Sequence, residues 1–371
     1  MARPFLADSD WVAKAAGNRA DEINTCIACN QACLDHSFSR KMASCLLNPR
    51  AGHETELTLS PTRTRKRIAV VGAGPAGLAA ATTAASRGHS VDLFEADSEI
   101  GGQFNLARRI PGKEEFSESI RYYVRQIELT GVKLHLNHAV TAAELAGGGY
   151  DEVLLATGVI ARVPSIPGLD RPNVHNYADV ITGRVQVGDR VAVIGAGGIG
   201  FDVSEFLTHP GPHGGGLADM QDRDTWMHEW GVDDPERVRG GIVAPQFEPS
   251  PRQVYLLQRK TSRIGAGLGK TSGWVHRAVL KARAVEMING VNYERIDDDG
   301  LHVSFGEKRS RPTVLAVDDV VICAGQESRR ELLDELTAAG VSVQVIGGAD
   351  VAAEVDAKRA INQGTRVAAA V

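Results

Sequence analysis

Residues 67–102 decide the fold, and they begin with the short apolar run Arg67-Ile-Ala-Val-Val71, which predicts a buried strand. The strand leads into the loop Gly72-Ala-Gly-Pro-Ala-Gly77 and then into an alanine-rich segment, Leu78 to Arg87, that predicts a helix. A second predicted strand, Ser90-Val-Asp-Leu-Phe-Glu95, ends on a carboxylate eighteen residues after the last glycine of the loop. Strand, glycine-rich loop, helix and acid in this order are typical of a dinucleotide-binding βαβ unit.

Each part of this unit has a predicted task in holding the dinucleotide. Gly72 permits the tight turn, Gly74 lets backbone N–H groups approach a pyrophosphate, and Gly77 lets the helix pack closely on the strand. Ala76 lies in the same loop, at the start of a helix whose positive end would face the phosphates. Glu95 is expected to accept hydrogen bonds from the adenosine ribose hydroxyls.

Three later segments resemble those of the two-dinucleotide flavoprotein family: Glu99-Ile-Gly-Gly-Gln103, Leu154-Leu-Ala-Thr-Gly158 and Val345-Ile-Gly-Gly-Ala-Asp350. The resemblance implies that the first site binds FAD, with Gly102 beside it and Asp350 on the ribityl chain. It also implies an α/β fold with two Rossmann-like dinucleotide-binding domains. Val140 stands where such flavoproteins commonly pair a backbone amide with adenine.

Composition narrows the class of protein. The chain has 371 residues, enough for two or three domains, and 40 of them are glycine. The formal net charge of −5 argues against a nucleic-acid partner. No apolar run approaches the roughly 18 residues of a membrane span, and the N-terminus lacks the apolar core of a signal peptide. We therefore expect a cytoplasmic protein without a membrane partner.

Four of the five cysteines fall within twenty residues, with the spacing C-x2-C-x3-C-x11-C: Cys26, Cys29, Cys33 and Cys45. Such spacing suits four thiolates around either a [4Fe–4S] cube or a tetrahedral zinc ion. Zinc usually takes two separated pairs, whereas three close cysteines with one remote partner favour the cube. Cys323, within the apolar run Val320-Val-Ile-Cys-Ala324, is interpreted as an inert core thiol.

The segments around these cysteines resemble the iron–sulfur flavoenzymes of the bacterial NADPH-dependent 2,4-dienoyl-CoA reductase and trimethylamine dehydrogenase group. The resemblance rests on Arg3-Pro-Phe-Leu-Ala7, Cys26-Ile-Ala-Cys-Asn-Gln-Ala-Cys33 and Asn48-Pro-Arg50, and on Gly265 to His276 and Asp350 to Arg359, which match the dienoyl-CoA reductase branch. It implies a cluster on the four cysteines and FAD contacts from Gln31, Gln103 and Lys113. Members of that group also carry an FMN-binding barrel with the acyl-CoA site, and this sequence resembles only the part that follows the barrel.

A second fingerprint begins at the predicted strand Val191 to Ile194 and continues into Gly195-Ala-Gly-Gly-Ile-Gly200, so Gly195, Gly197 and Gly200 repeat the roles of the first three glycines. The next predicted strand, Gln253 to Leu257, ends in Gln258-Arg-Lys260. An NAD site carries an acid at this strand end, but Arg259 and Lys260 are cations that suit a 2′-phosphate. The sequence therefore predicts NADPH as the second nucleotide.

These motifs predict four consecutive regions. Residues 1–60 form a connector and the cluster segment, 61–185 the first FAD segment, 186–324 the NADPH domain, and 325–371 the second FAD segment. Residues 209–251 are an insertion with a predicted helix at Asp224 to Trp230, and its histidines, including His213, show no metal-ligand spacing.

The expected function is electron transfer from NADPH through FAD to the cluster, and in the resembled group onward to FMN for reduction of 2,4-dienoyl-CoA in fatty-acid oxidation. The expected partner is an FMN-containing barrel domain or protein, and no side chain is assigned as catalytic because the cofactors supply the chemistry. Two alternatives stay open. One is a standalone electron-transfer subunit that resembles the small subunit of glutamate synthase, and the other is a non-enzymatic adaptor with a zinc knuckle.

Overall fold

The structure, a computed structural model, describes residues 1–210, 221–353 and 356–371. Its helices are α1 (Arg3–Ala7), α2 (Trp11–Ala16), α3 (Leu34–Phe38), α4 (Pro75–Ser86), α5 (Gln103–Ala107), α6 (Phe116–Thr130), α7 (Ala142–Gly147), α8 (Tyr177–Ile181), α9 (Gly198–Thr208), α10 (Arg223–Trp230), α11 (Gly273–Ala282), α12 (Glu331–Ala338) and α13 (Ala357–Ala370). Its strands are β1 (Arg67–Val71), β2 (Ser90–Phe94), β3 (Lys133–His135), β4 (Glu152–Leu155), β5 (Val159–Ala161), β6 (Val174–Asn176), β7 (Arg190–Ile194), β8 (Gln253–Gln258), β9 (Glu286–Asn289), β10 (Val291–Asp297), β11 (Gly300–Phe305), β12 (Ser310–Leu315), β13 (Asp319–Ile322), β14 (Gln326–Ser328) and β15 (Val343–Val345).

The chain divides into two compact units, each built from separate stretches of sequence. The first unit contains Met1–Asn105, Glu115–Ile160 and Gln326–Val371. The second contains Leu106–Glu114 and Ala161–Gly325. These boundaries differ from the predicted ones, because β6 pairs with β13 and so places the residues after 160 in the second unit. The assignment of one cofactor to each region stays a prediction.

The first unit is organised around a parallel sheet with strand order β15-β4-β1-β2-β3. Four of the five residues of β1 are buried, as expected for a central strand that helices cover on both faces. Ile68 and Leu154 are fully buried side chains of its core, and burial of such a side chain contributes about 1.5–3 kcal/mol. The helix predicted from Leu78 begins earlier, at Pro75, a residue favoured in the first helical turn.

The second unit repeats this plan in a parallel sheet with strand order β6-β13-β7-β8-β9, next to the antiparallel sheet β10-β11-β12. In the first sheet, β2 and β3 follow on one side of β1 and β4 lies on its other side. In the second sheet, β8 and β9 follow on one side of β7 and β13 lies on its other side. The strand order therefore reverses between β1 and β4 and between β7 and β13. Ligands of open α/β sheets bind at such a reversal, outside the carboxyl ends of the strands. The predicted fold class, two Rossmann-like units of the two-dinucleotide flavoprotein type with a preceding cysteine-rich segment, is confirmed.

The insertion contains α10, which confirms the predicted helix, and a buried ion pair attaches it to the second unit. Glu229 of α10 lies 2.5 Å from the guanidinium of Arg283, and both side chains are less than a tenth exposed. Trp230 packs edge-on against Phe247. Residues 211–220, with His213 among them, lie outside the described residues. Within the described ranges, no helix combines the length and the apolar character that a membrane span requires.

Candidate functional site

The two glycine-rich loops have the same geometry. Gly72 follows β1 with φ of 102°, and a Cβ atom there would lie 2.5 Å from the carbonyl oxygen of Ala156, just after β4. Gly195 follows β7 with φ of 112°, and a Cβ atom there would lie 2.3 Å from the carbonyl oxygen of Cys323, just after β13. Only glycine fits such a left-handed turn against a neighbouring backbone. Each loop therefore closes tightly over the reversal point of its sheet.

The other two glycines of each loop also match in pairs. A Cβ atom on Gly77 or on Gly200 would lie 1.8 Å from the carbonyl oxygen of the first glycine of its loop, so neither position can carry a side chain. Gly74 and Gly197 each cap the N-terminus of a helix, and a Cβ atom there would meet nothing within 4 Å. The open space in front of a helix N-terminus suits a phosphate group, because the first N–H groups of a helix lack partners.

Glu95 stands directly after β2 and holds the first loop. Its Oε2 accepts a hydrogen bond from the backbone N–H of Ala73 at 2.7 Å, and its Oε1 accepts from Asp97 N–H at 3.0 Å. The 101–102 turn lies on the same loop, because Gly101 N–H donates to Ala73 O and a Cβ on Gly102 would meet Gly74 Cα at 3.1 Å. Gln103 begins α5 immediately after this turn.

The third stretch of the first unit, Gln326–Val371, returns to this loop. A Cβ atom on Gly347 would lie 2.7 Å from the Cβ of Ala76, and one on Gly364 of α13 would lie 2.2 Å from the Ala76 carbonyl oxygen. Asp350 follows that turn, and its carboxylate is half-buried next to α13. The structure thus brings Gly72, Gly74, Ala76, Gly77, Glu95, Gly102, Gln103 and Asp350 into one region of the first unit.

Three other predicted contacts lie elsewhere or are engaged locally. Lys113 belongs to the second unit, where its Nζ pairs with Asp202 Oδ1 at 2.5 Å, and the neighbouring Ile110 packs in the core with Phe201. Gln31 lies within the cysteine segment, and its backbone N–H donates to the sulfur of Cys29. Val140 is buried, and its N–H donates to the carbonyl oxygen of His138 at 3.0 Å.

Gln258 occupies the position in the second unit that Glu95 occupies in the first. Phe94 pairs with Val71, the last residue of β1, and Leu257 pairs with Ile194, the last residue of β7. Glu95 and Gln258 each follow these paired residues directly, so they occupy equivalent positions beside the two glycine loops. The Gln258 amide turns away from the glycine loop, and its Nε2 donates to the carbonyl oxygens of Lys260 and Ser262 at 3.0 and 2.9 Å.

The segment that carries the predicted cations is therefore held by side-chain amides. Asn289 Nδ2 adds hydrogen bonds to the carbonyl oxygens of Thr261 and Ser262 at 2.9 and 3.1 Å. Arg259, Lys260 and the further cation Arg263 are exposed, and within the described part of the chain no carboxylate pairs with them. The end of β8 follows from the sequence, but the roles of both amides do not, because the folded path of residues 260–262 decides which carbonyl oxygens they reach.

The four clustered cysteines are half-buried and line one small cavity. Burial, with smaller contributions from the charges of the three other cysteines, raises the pKa of the Cys29 thiol to about 12. Burial also raises the pKa of Cys45, whose sulfur accepts hydrogen bonds from the backbone N–H groups of Leu47 and Asn48. Four thiolates this close require a compensating positive centre, so the donor set fits a resident metal group.

The cysteine segment is part of the core of the first unit. Cys29 and Cys45 pack against the same hydrophobic cluster as Leu46 and Leu47, together with side chains of α4 and α13. Asn48 Nδ2 donates to Leu6 O at 2.9 Å and ties the segment to α1. Cys323, in contrast, is a buried thiol in the second unit, and burial raises its pKa well above the ordinary range, which agrees with an inert core residue.

Two Rossmann-like units with matching phosphate-type loops define an oxidoreductase that binds two dinucleotides. The family model described as "Pyridine nucleotide-disulphide oxidoreductase" matches residues 66–360, and the chain belongs to this family. It is thus a flavin-dependent pyridine nucleotide oxidoreductase, in a family that uses FAD and NAD(P)H. Apart from the four clustered cysteines, Cys323 is the one cysteine in the sequence.

Similar proteins are about twice as long. A metal reductase of Desulforamulus reducens is 30% identical over 94% of this chain and 51% of its own length. A bilirubin reductase of Mediterraneibacter gnavus is 35% identical over 82% of this chain and 47% of its own. The solved structure of a 2-naphthoyl-CoA reductase is 27% identical to this chain and superimposes on it with a TM-score of 0.84. The match covers the whole of this chain and 50% of the reductase chain. The chain therefore spans about half the length of these relatives.

Proposed function

We propose that the chain oxidises NADPH and passes the electrons through FAD to a [4Fe–4S] cluster. The observation that carries this proposal is that the four cysteines line one cavity in the unit that holds the first glycine loop, with Cys29 and Cys45 packed against its core. A flavin accepts two electrons as a hydride and releases them one at a time, so it connects a nicotinamide with a one-electron centre. The side chains of the protein bind and orient these groups.

FAD is assigned to the first unit. Gly74 leaves the N-terminus of α4 open for the pyrophosphate, and Glu95 is half-buried at the strand end where the ribose would lie. Asp350 is assigned to the ribityl chain. Gln31, Gln103, Val140 and Lys113 remain proposed contacts of FAD, and Lys113 also pairs with Asp202.

Replacing Glu95 with alanine should weaken FAD binding by about 1.5–3 kcal/mol, the contribution of a hydrogen bond to a charged group. The change also removes the acceptor of the Ala73 N–H bond, which loosens the loop itself. The measurement is the fraction of flavin that purified protein retains through dilution and dialysis. Asp97→Ala, which removes an exposed carboxylate two residues away, serves as the control. Full flavin retention by Glu95→Ala would refute the assignment.

NADPH is assigned to the second unit. A neutral amide stands at Gln258, where an acid would bind the ribose hydroxyls of NAD, and two exposed cations follow it on an anchored loop. A 2′-phosphate is attracted by the cations and would be repelled by an acid at this position.

A cube is favoured over zinc at the four cysteines. The sequence spacing carries this preference, because zinc usually takes two separated cysteine pairs, whereas Cys26, Cys29 and Cys33 lie close together and Cys45 is the one remote partner. A zinc-knuckle adaptor remains the alternative that metal analysis tests.

The onward acceptor is proposed to be an FMN-containing barrel, as a further domain or a separate protein, with 2,4-dienoyl-CoA or a related unsaturated acyl-CoA as final substrate. The likeness to a 2-naphthoyl-CoA reductase, whose name also specifies a CoA thioester, supports this class of substrate. A standalone electron-transfer subunit comparable to the small subunit of glutamate synthase, which would serve a separate partner protein, is the second candidate.

The chain by itself should reduce ferricyanide or a quinone dye with NADPH, and it should not reduce 2,4-dienoyl-CoA. Both proposed dinucleotide sites lie within the 371 residues, whereas the acyl-CoA site of the resembled group lies in the barrel. The measurement is NADPH oxidation under anaerobic conditions with each acceptor, with and without a candidate barrel protein. Failure of the chain to oxidise NADPH with either dye, or dienoyl-CoA turnover by the chain alone, would contradict the proposal.

A further inference from the structure

Gln363, on the second turn of α13, connects two parts of the proposed FAD site. Its Oε1 accepts a hydrogen bond from the backbone N–H of Gly347 at 2.8 Å, and its Nε2 donates to Asp350 Oδ2 at 2.8 Å. The orientation of the amide follows from its partners, since a backbone N–H requires an acceptor and a carboxylate requires a donor. Both ends of the side chain are therefore committed to the 347–350 turn.

This turn is otherwise held through its backbone. Ser328 Oγ donates to the carbonyl oxygen of Gly348 at 2.7 Å, and the Arg330 guanidinium donates to the carbonyl oxygens of Ala349 and Asp350. These bonds fix the path of the chain, but they leave the Asp350 side chain free to rotate. Among the described residues, Gln363 is the group that holds the carboxylate of Asp350.

The bond leaves one oxygen of the carboxylate for a ligand. Asp350 Oδ1 accepts no hydrogen bond from the described residues, and Asp350 and Gln363 line the same open pocket with Asn362 and Arg366. A carboxylate that is fixed at one oxygen accepts a ligand hydroxyl at the other without losing further rotational freedom.

We propose that Gln363 is a positioning residue for the flavin: it orients Asp350 so that Oδ1 receives a ribityl hydroxyl, and it fixes the Gly347 turn that lies against Ala76 of the phosphate loop. The inference rests on the proposed assignment of FAD to the first unit. It adds Gln363 as a residue that acts through Asp350 and Gly347, to which the two ends of its amide are bonded.

The test is a cycle of substitutions in the full-length chain, with FAD affinity measured by titrating flavin-depleted protein and following flavin fluorescence. Asp350→Asn alone should weaken FAD binding about tenfold, because a neutral acceptor replaces a charged one. Gln363→Glu should weaken it by about tenfold or more, because two carboxylates then face each other at hydrogen-bond distance. Asn362→Leu is the matched control, since Asn362 lines the same pocket but bonds to Arg366.

The decisive measurement is Asp350→Asn in the Gln363→Glu background. In this double variant the amide introduced at position 350 donates to the carboxylate introduced at position 363, which restores the hydrogen bond. Adding Asp350→Asn to Gln363→Glu should therefore tighten FAD binding about tenfold instead of weakening it. A general structural role for Gln363 would not produce this reversal of sign. The same loss from Asp350→Asn in both backgrounds would overturn the proposal, and a wild-type chain that takes up no FAD would instead overturn the proposed function.

If Gln363→Glu does not fold, Gln363→Leu replaces it in the cycle with Asp350→Ala. Each single change should weaken FAD binding about tenfold, and the double change should cost little more than either alone, because both remove the same contact. Losses that multiply in the double variant would overturn the proposal.

Discussion

Replacing Cys29 with serine is expected to remove the iron and sulfide from the purified protein and to leave its FAD in place. The wild-type chain, prepared without oxygen, should contain about four iron and four sulfide per chain, the content of one cube on four cysteines. Cys29 is one of the four proposed ligands, and burial raises the pKa of its thiol to about 12, so a positive metal group would stabilise its thiolate. Serine supplies a poorer, far less acidic ligand.

The measurement is iron, sulfide and zinc analysis together with the visible spectrum of protein reduced by NADPH. Cys323→Ala is the matched control, since it removes the buried thiol of the second unit and should leave metal and sulfide unchanged. Electron transfer to the cluster should vanish in Cys29→Ser. NADPH should still reduce the flavin and so bleach its absorbance, because the first glycine loop does not include this residue. Stoichiometric zinc without sulfide in the wild type would show that the cube is the wrong assignment.

Removing both cations of the second unit, in Arg259→Ala/Lys260→Ala, is expected to lower kcat/KM for NADPH by about a hundredfold and to change that for NADH little. Each charge-assisted hydrogen bond to a phosphate contributes about 1.5–3 kcal/mol, and exposed groups fall at the lower end of that range. About 1.4 kcal/mol corresponds to a factor of ten, so two cations together give about two orders of magnitude. The 2′-phosphate is the one chemical difference between the two nucleotides.

The control for this effect is Lys308→Ala, which removes an exposed cation of the same unit at a hairpin turn. Gln258→Glu extends the test, because it restores the acid that Glu95 provides at the equivalent position of the first unit. This variant should favour NADH, since the new carboxylate repels a 2′-phosphate and accepts the ribose hydroxyl. An NADPH preference that survives the double substitution would place the phosphate site elsewhere.

The sequence predicts the glycine loops well because their constraint is local. A left-handed turn against a neighbouring backbone admits glycine alone, so Gly72 and Gly195 indicate their own geometry before any contact is known. The strands β1 and β7 follow from short apolar runs for the same reason. Conclusions that depend on one residue and its immediate neighbours in the chain therefore agree with the structure.

Positions that depend on distant partners were not predictable in the same way. Lys113 is close in sequence to the first unit, but Ile110 packs in the core of the second unit and carries the lysine to Asp202. The place of Gln258 at the end of β8 follows from the sequence, but its hydrogen bonds to Lys260 and Ser262 depend on the path of the loop that follows. Sequence spacing therefore located the cysteines and the loops, and tertiary packing decided which side chains hold them.

The discontinuity of the first unit has a consequence for synthesis. Its sheet needs β15 beside β4, and about 190 residues of chain separate these two strands. At about 5–20 residues per second, the ribosome leaves β4 with an open edge for about 10–40 s. The second unit can fold during that interval. The close packing of Gly364 against Ala76 of α4 can form only after α13 has been synthesised. The proposed FAD site is therefore completed by residues that are synthesised about 190 residues after β4, and until then the packing face of α4 and the edge of β4 stay uncovered.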